Sequence, residues 1–169
     1  MLQDVRVLVA GVGNVLRGDD GFGVVVAQRL LAEPVPQEVR VLDVGIGGIH
    51  LVQELLDHTE ALVVVDAVEL GRPPGTIAVI RPDVRDVKSM SLLERHDELA
   101  DMHYATPERA LMLAQALDVL PVSVWIVGCQ PEDADRLGEG LSAPLAAAVE
   151  PAIGEVRQLV RGLGVRWEP

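Results

Sequence analysis

The chain of 169 residues carries 26 acidic side chains against 14 Lys and Arg, a formal net charge of −12 at pH 7. That charge repels phosphate backbones, and four aromatics (Phe22, Tyr104, Trp125, Trp167) are too few for base-stacking platforms, so no nucleic-acid partner is expected. The single cysteine, Cys129, excludes an internal disulfide and a multi-cysteine zinc site. No apolar run reaches the length of a membrane helix or the form of a signal peptide, so a cytoplasmic protein without membrane attachment, one domain over residues 1–169, is expected.

In chain order, residues 5–10 (VRVLVA) form a short, near-continuous apolar run that ends at glycine, the pattern of a buried central strand. Residues 21–31 place Val24, Ala27, Leu30 and Leu31 at helical spacing. A second strand is predicted at 39–44, closed by GIGG, and a helix at 49–58 whose Leu51, Val52, Leu55 and Leu56 share one face. Residues 61–66 (ALVVVD) are a third buried strand. The connection 67–75 (AVELGRPPG) is too short for a parallel crossover, so the strand at 76–81 is predicted to be antiparallel. Residues 82–105 read as a long charged loop holding two of the four histidines. A helix at 107–117 and a last strand at 122–129 follow. The chain closes with a helical region at 141–163, capped by Ser142 and interrupted near Pro151. Short Val-rich runs alternating with amphipathic helices predict a three-layer α/β/α sandwich around a mixed, mostly parallel five-stranded sheet.

The chemistry concentrates in the loop 11–23, GVGNVLRGDDGFG. Gly11 and Gly13 suggest a nucleotide loop, with Asp43 as the ribose acid. The third glycine of the dinucleotide pattern is missing from GVGNVL, however, and Asp19 and Asp20 stand where pyrophosphate charge would meet the helix start. One acid is enough to cap a helix; with two in tandem, Asp19 is expected as the cap and Asp20 is left to face the crevice. Asp66 ends the third strand and so lies on the same carboxyl edge. Two carboxylates brought together there repel each other unless a proton or a cation intervenes, and a nitrogen donor would complete a site for a divalent metal. His103 and His96 are the candidates. His50, Glu54 and His58 recur every four residues, but on the polar face opposite the leucines, as a solvated face requires. Cys129, at the end of an apolar strand, reads as core filling.

These segments together resemble the nickel–iron hydrogenase maturation proteases. GVGNVLRGDDGFGVVVAQRL is similar to that family's opening signature, DVGIGGIHL to its second-strand segment, VVVDAV to its third-strand aspartate, VGCQPE to its last strand end and GLSAPLAAAVEPAI to the helix that follows. The resemblance implies an endopeptidase that removes the C-terminal extension of a nickel–iron hydrogenase large-subunit precursor after nickel insertion. Carried over, the family's metal-recognising and catalytic residues fall on Asp20, Asp66 and His103, and Asp43 becomes a supporting residue. Many members carry glutamate where this chain has Asp20. The nickel is expected to arrive with the substrate precursor, although another divalent metal could occupy the site. Two other readings stay open on the residues alone: a nickel-sensing assembly chaperone that does not cut, and a nucleotide-binding module.

Overall fold

The computed structural model describes residues 5–100 and 106–169. Five strands form one sheet: β1 (Val7–Val12), β2 (Val39–Gly45), β3 (Ala61–Ala67), β4 (Ile77–Ile80) and β5 (Ser123–Cys129), in the spatial order β2-β1-β3-β5-β4. The first four in that order are mutually parallel, and β4 pairs antiparallel with β5, Ala78 opposite Gly128. The nine residues between β3 and β4 are too few to return the chain to the other end of the sheet, which accounts for the reversal. The sheet is therefore mixed and mostly parallel, as expected from the sequence.

Alternation along the strands divides the core in two. Val7 and Val9 of β1 and Val63 and Val65 of β3 face helices α1 (Phe22–Leu31) and α5 (Ala143–Gly162). Leu8, Ala10, Leu62 and Val64 face α2 (Gly48–Leu55) and α4 (Pro107–Ala116). Helix α1 leads from β1 to β2 on one side, and α2 returns on the opposite face to β3 on the other side of β1. The strand order thus reverses between β1 and β3, and the carboxyl ends of strands at such a reversal are where open α/β sheets bind ligands.

Several boundaries differ from expectation, each for a local reason. Strand β1 runs two residues later than the apolar run, through Gly11 and Val12, because β2 offers Asp43 and Gly45 as pairing partners. A 3-10 turn at Gly18–Gly21 precedes α1. Residues 82–105 are not all loop: a 3-10 turn at Val87–Ser89 and helix α3 (Leu92–Ala100) lie within them. The start of α3 is a capping box, in which the Ser91 backbone N–H donates to Glu94 Oε2 at 2.8 Å and the Glu94 N–H donates to Ser91 Oγ at 3.3 Å. Helix α5 passes through Pro151 uninterrupted. The proline is exposed, while Leu145, Ala148, Ala152, Ile153, Val156 and Val160 bury one continuous face on both sides of it. That burial outweighs the single backbone hydrogen bond lost. Among the described residues, no helix is long and apolar enough to cross a membrane.

Candidate active site at the carboxyl edge of the sheet

The glycines of the opening loop hold chain against chain. A Cβ on Gly23, in the first turn of α1, would lie 2.0 Å from the Val65 carbonyl oxygen and 2.4 Å from that of Val12. One on Gly11 would lie 2.2 Å from the Gly23 oxygen. The start of α1 therefore rests directly on the ends of β1 and β3, a closeness only glycine permits. Gly13, at φ +140°, would carry a Cβ 1.9 Å from the Asp20 carbonyl oxygen. These contacts account for Gly11, Gly13 and Gly23 as packing of chain against chain.

Asp19 is no helix cap. Its buried carboxylate accepts four hydrogen bonds from the far end of the chain. Oδ2 receives the backbone N–H groups of Glu132 and Asp133, at 2.9 and 3.1 Å, and the Ser142 hydroxyl at 2.9 Å. Oδ1 receives the Ser142 N–H at 2.7 Å. Ser142 occupies the N-cap position of α5, yet its hydroxyl donates to Asp19 and makes no capping bond of its own. Burial alone would push the Asp19 carboxyl up; the bonds from Ser142, Asp133 and Glu132 outweigh it and hold the group below the usual carboxylate range.

Asp20, next in the chain, acts on Asp66 instead. It is half-buried, and its Oδ2 accepts the Asn14 N–H at 3.0 Å. The 3-10 turn that carries it packs against β3. Asp66, also half-buried, lies one residue past the last β1 pairing of β3, opposite Gly128. Its carboxyl is raised well above the ordinary aspartate value, first by burial and then by the charge of Asp20, with a backbone bond at Ala67 opposing. The two acids that the sequence placed on this edge are thus electrostatically coupled. A proton on Asp66 relieves the repulsion, and so would a cation between the two. Two oxygen donors joined by an imidazole suit a divalent ion of borderline softness.

The nitrogen candidates fare differently. His103 lies outside the described residues. His96 is exposed on α3, 3.8 Å from Asp97. Among the described residues, no three His, Cys, Asp or Glu side chains are grouped to hold a metal ion. Asp43 is exposed on β2 and accepts Gln28 Nε2 at 3.1 Å, so its bond is to α1. On α2, His50 meets Glu54 at 3.4 Å while Glu54 also pairs with Arg40 at 2.8 Å, the surface network expected of a solvated face. Cys129 is fully buried, and burial, aided by the Asp19 charge, pushes its thiol up to about 11, so it is core.

Gln130 is a supporting residue that sequence reasoning quoted within VGCQPE without giving it a task. Its buried amide ties the connection after Asp66 to the end of β5. Oε1 accepts the N–H groups of Leu70 and Arg72 at 2.6 and 3.3 Å, and Nε2 donates to Glu69 at 2.9 Å. The signal available was a long polar amide at the end of a buried strand, where an amide must find partners.

Known proteins share this architecture and much of this sequence. Residues 24–159 match the family described as HycI, hydrogenase maturation protease, a stretch that includes Asp66 and begins just after the loop carrying Asp20. The hydrogenase expression/formation protein HupD of Rhodobacter capsulatus is 34% identical over 161 residues, covering 95% of this chain and 73% of that protein. The hydrogenase 2 maturation peptidase from Thaumarchaeota archaeon SCGC_AB-539-E09 superposes with a TM-score of 0.66 at 36% identity, over 95% of this chain and 99% of the other. The hydrogenase maturating endopeptidase HybD from E. coli gives 0.74 at 25% identity over 95% of each chain. With its fold, its order of motifs and the greater part of its length in common with them, the chain belongs to the hydrogenase maturation protease family.

Proposed function

We propose that this protein is an endopeptidase that removes the C-terminal extension of a nickel–iron hydrogenase large-subunit precursor once nickel has been inserted. The observation that carries the reading is the coupled pair Asp20 and Asp66 at the strand-order reversal. Hydrolysis adds water to the scissile carbonyl carbon, breaks the C–N bond and delivers a proton to the departing amine. An acid whose carboxyl is raised by burial and a neighbouring charge, as that of Asp66 is, suits that proton transfer.

In this reading the nickel belongs to the substrate. Asp20, Asp66 and His103 recognise it within the precursor and leave coordination positions for substrate groups, so that cleavage follows metal insertion. A divalent ion seated between the acids would polarise the scissile carbonyl or activate the attacking water. The protein works in the cytoplasm, before the hydrogenase is complete.

The test is incubation of the protein with large-subunit precursor, with and without nickel, reading the precursor's C-terminal mass. The expected result is a peptide lost only from nickel-loaded precursor, and no loss with Asp66→Asn. Trimming by Asp66→Asn at the wild-type rate would remove Asp66 from the site. Precursor that is bound and never cut would make the protein an assembly chaperone.

A further inference from the structure

Around the acid pair the surface is unexpectedly apolar. Val15, Leu16, Ile46 and Leu137 are 37, 59, 68 and 85% exposed, on three connections that leave the carboxyl edge after β1, β2 and β5. Backbone hydrogen bonds set them side by side. Gly13 N–H donates to the Gly45 oxygen at 2.9 Å, which brings the loop after β1 against the turn carrying Ile46. On the other flank, Gly138 N–H donates to the Leu16 oxygen and Gly18 N–H to the Gly138 oxygen, both at 2.9 Å, which brings Leu137 beside Leu16. The row thus runs Ile46, Val15, Leu16, Leu137. The loop that carries Val15 and Leu16 also holds Asp20: the Asn14 N–H donates to its carboxylate, and Gly21 abuts the Val15 backbone. Beyond Leu137 the surface carries exposed Glu132, Asp133 and Glu139, with Asp135 paired to Arg17 at 2.6 Å and Arg136 in the same loop, an acidic excess in a molecule of net charge −12.

We infer that this row is the docking surface for the precursor polypeptide immediately beside the cut bond, an apolar stretch with basic side chains on the flank that meets the 132–139 loop. The inference rests on the protease reading above and extends it to how the substrate is held. Its ground is reach. An extended chain advances about 3.3 Å per residue, so residues within three positions of a bond held at Asp20 and Asp66 lie within about 10 Å of it. A substrate of that reach meets the loop that holds Asp20 and carries the side chains of Val15 and Leu16, with those of Ile46 and Leu137 on the connections bonded to it. Buried under a polypeptide, they would supply the apolar centre of an interface, with the acids as its rim.

The test compares wild type, the double variant L16S/L137S, I46S and the control L117S, whose leucine is 52% exposed at the end of α4. Because all four side chains are exposed, melting temperatures should match. With nickel-loaded precursor, L16S/L137S should raise KM at least about tenfold and leave kcat within about twofold, I46S should move the same way, and L117S should do neither. Raised ionic strength should increase the wild-type KM through the acidic rim. An unchanged KM in L16S/L137S overturns the inference. So does a wild-type dimer that L16S/L137S converts to monomer, since the row would then belong to a second copy. If wild type does not cut at all, the protease reading fails separately and precursor capture decides: weaker capture by L16S/L137S supports the docking surface, and equal capture overturns it.

Discussion

A carboxyl group removed from water must either gather enough hydrogen bonds to stay charged or hold on to its proton, and Asp19 and Asp66 take these opposite courses. The folded protein keeps Asp19 below the ordinary carboxylate range, so its stabilisation is full above that range and is lost as pH falls through the folded value. Asp19→Asn turns an amide toward the Glu132, Asp133 and Ser142 donors and should cost about 2–4 kcal/mol at neutral pH. Denaturant midpoints measured across pH should show that loss shrinking on acidification. For Asp66 the sign reverses. Its folded value is raised, so ionising it costs stability as pH rises through that value. Asp66→Asn should therefore melt about 2–4 °C above wild type at neutral pH, and the gap should close as the solution is acidified. A variant melting below wild type at neutral pH would mean that the acid pair is not under strain.

At the scale of elements, the close seating of α1 on β1 and β3 is what carries Asp20 to Asp66, and Gly23 is its point of contact. Gly23→Ala puts a methyl group into the Val12 and Val65 carbonyl oxygens. The helix must lift, which should cost at least about 1–3 kcal/mol in chemical denaturation and take precursor processing with it. Unchanged stability would contradict the contact. Most elements were legible because each strand is a Val-rich run and each helix a periodic one. Helix α3 was not, since its leucines Leu92 and Leu93 are exposed and give no buried stripe; its signature was the Ser91–Glu94 capping box. Pro151 misled for the opposite reason, a local breaker overruled by a long buried face. Of the site, Asp66 could be read because it ends an apolar strand. The task of Asp19 could not, because its partners lie more than a hundred residues away in sequence.

In the whole molecule the two apolar clusters share the sheet as their common wall, with successive residues of β1 and β3 pointing to each. Loss of the sheet exposes both clusters at once, and the helices that cover each have no other core to pack on among the described residues. Urea unfolding followed by tryptophan fluorescence, which samples Trp125 and Trp167 on the α1 and α5 side, and by far-UV circular dichroism, which samples every helix, should give one coincident transition. Two separated midpoints would mean that the layers fold independently.

The Asp19 knot joins residues 113 to 123 positions apart, from the opening loop to the start of the last helix. A chain emerging from the ribosome makes β1 and its loop first, long before Glu132, Asp133 and Ser142 exist. Until those residues arrive, Asp19 lacks its four donors, and the turn that carries Asp20 lacks one of its anchors. The turn that carries Asp20 is therefore fully anchored only once the start of α5 has been made, which ties completion of the proposed site to near-completion of the chain.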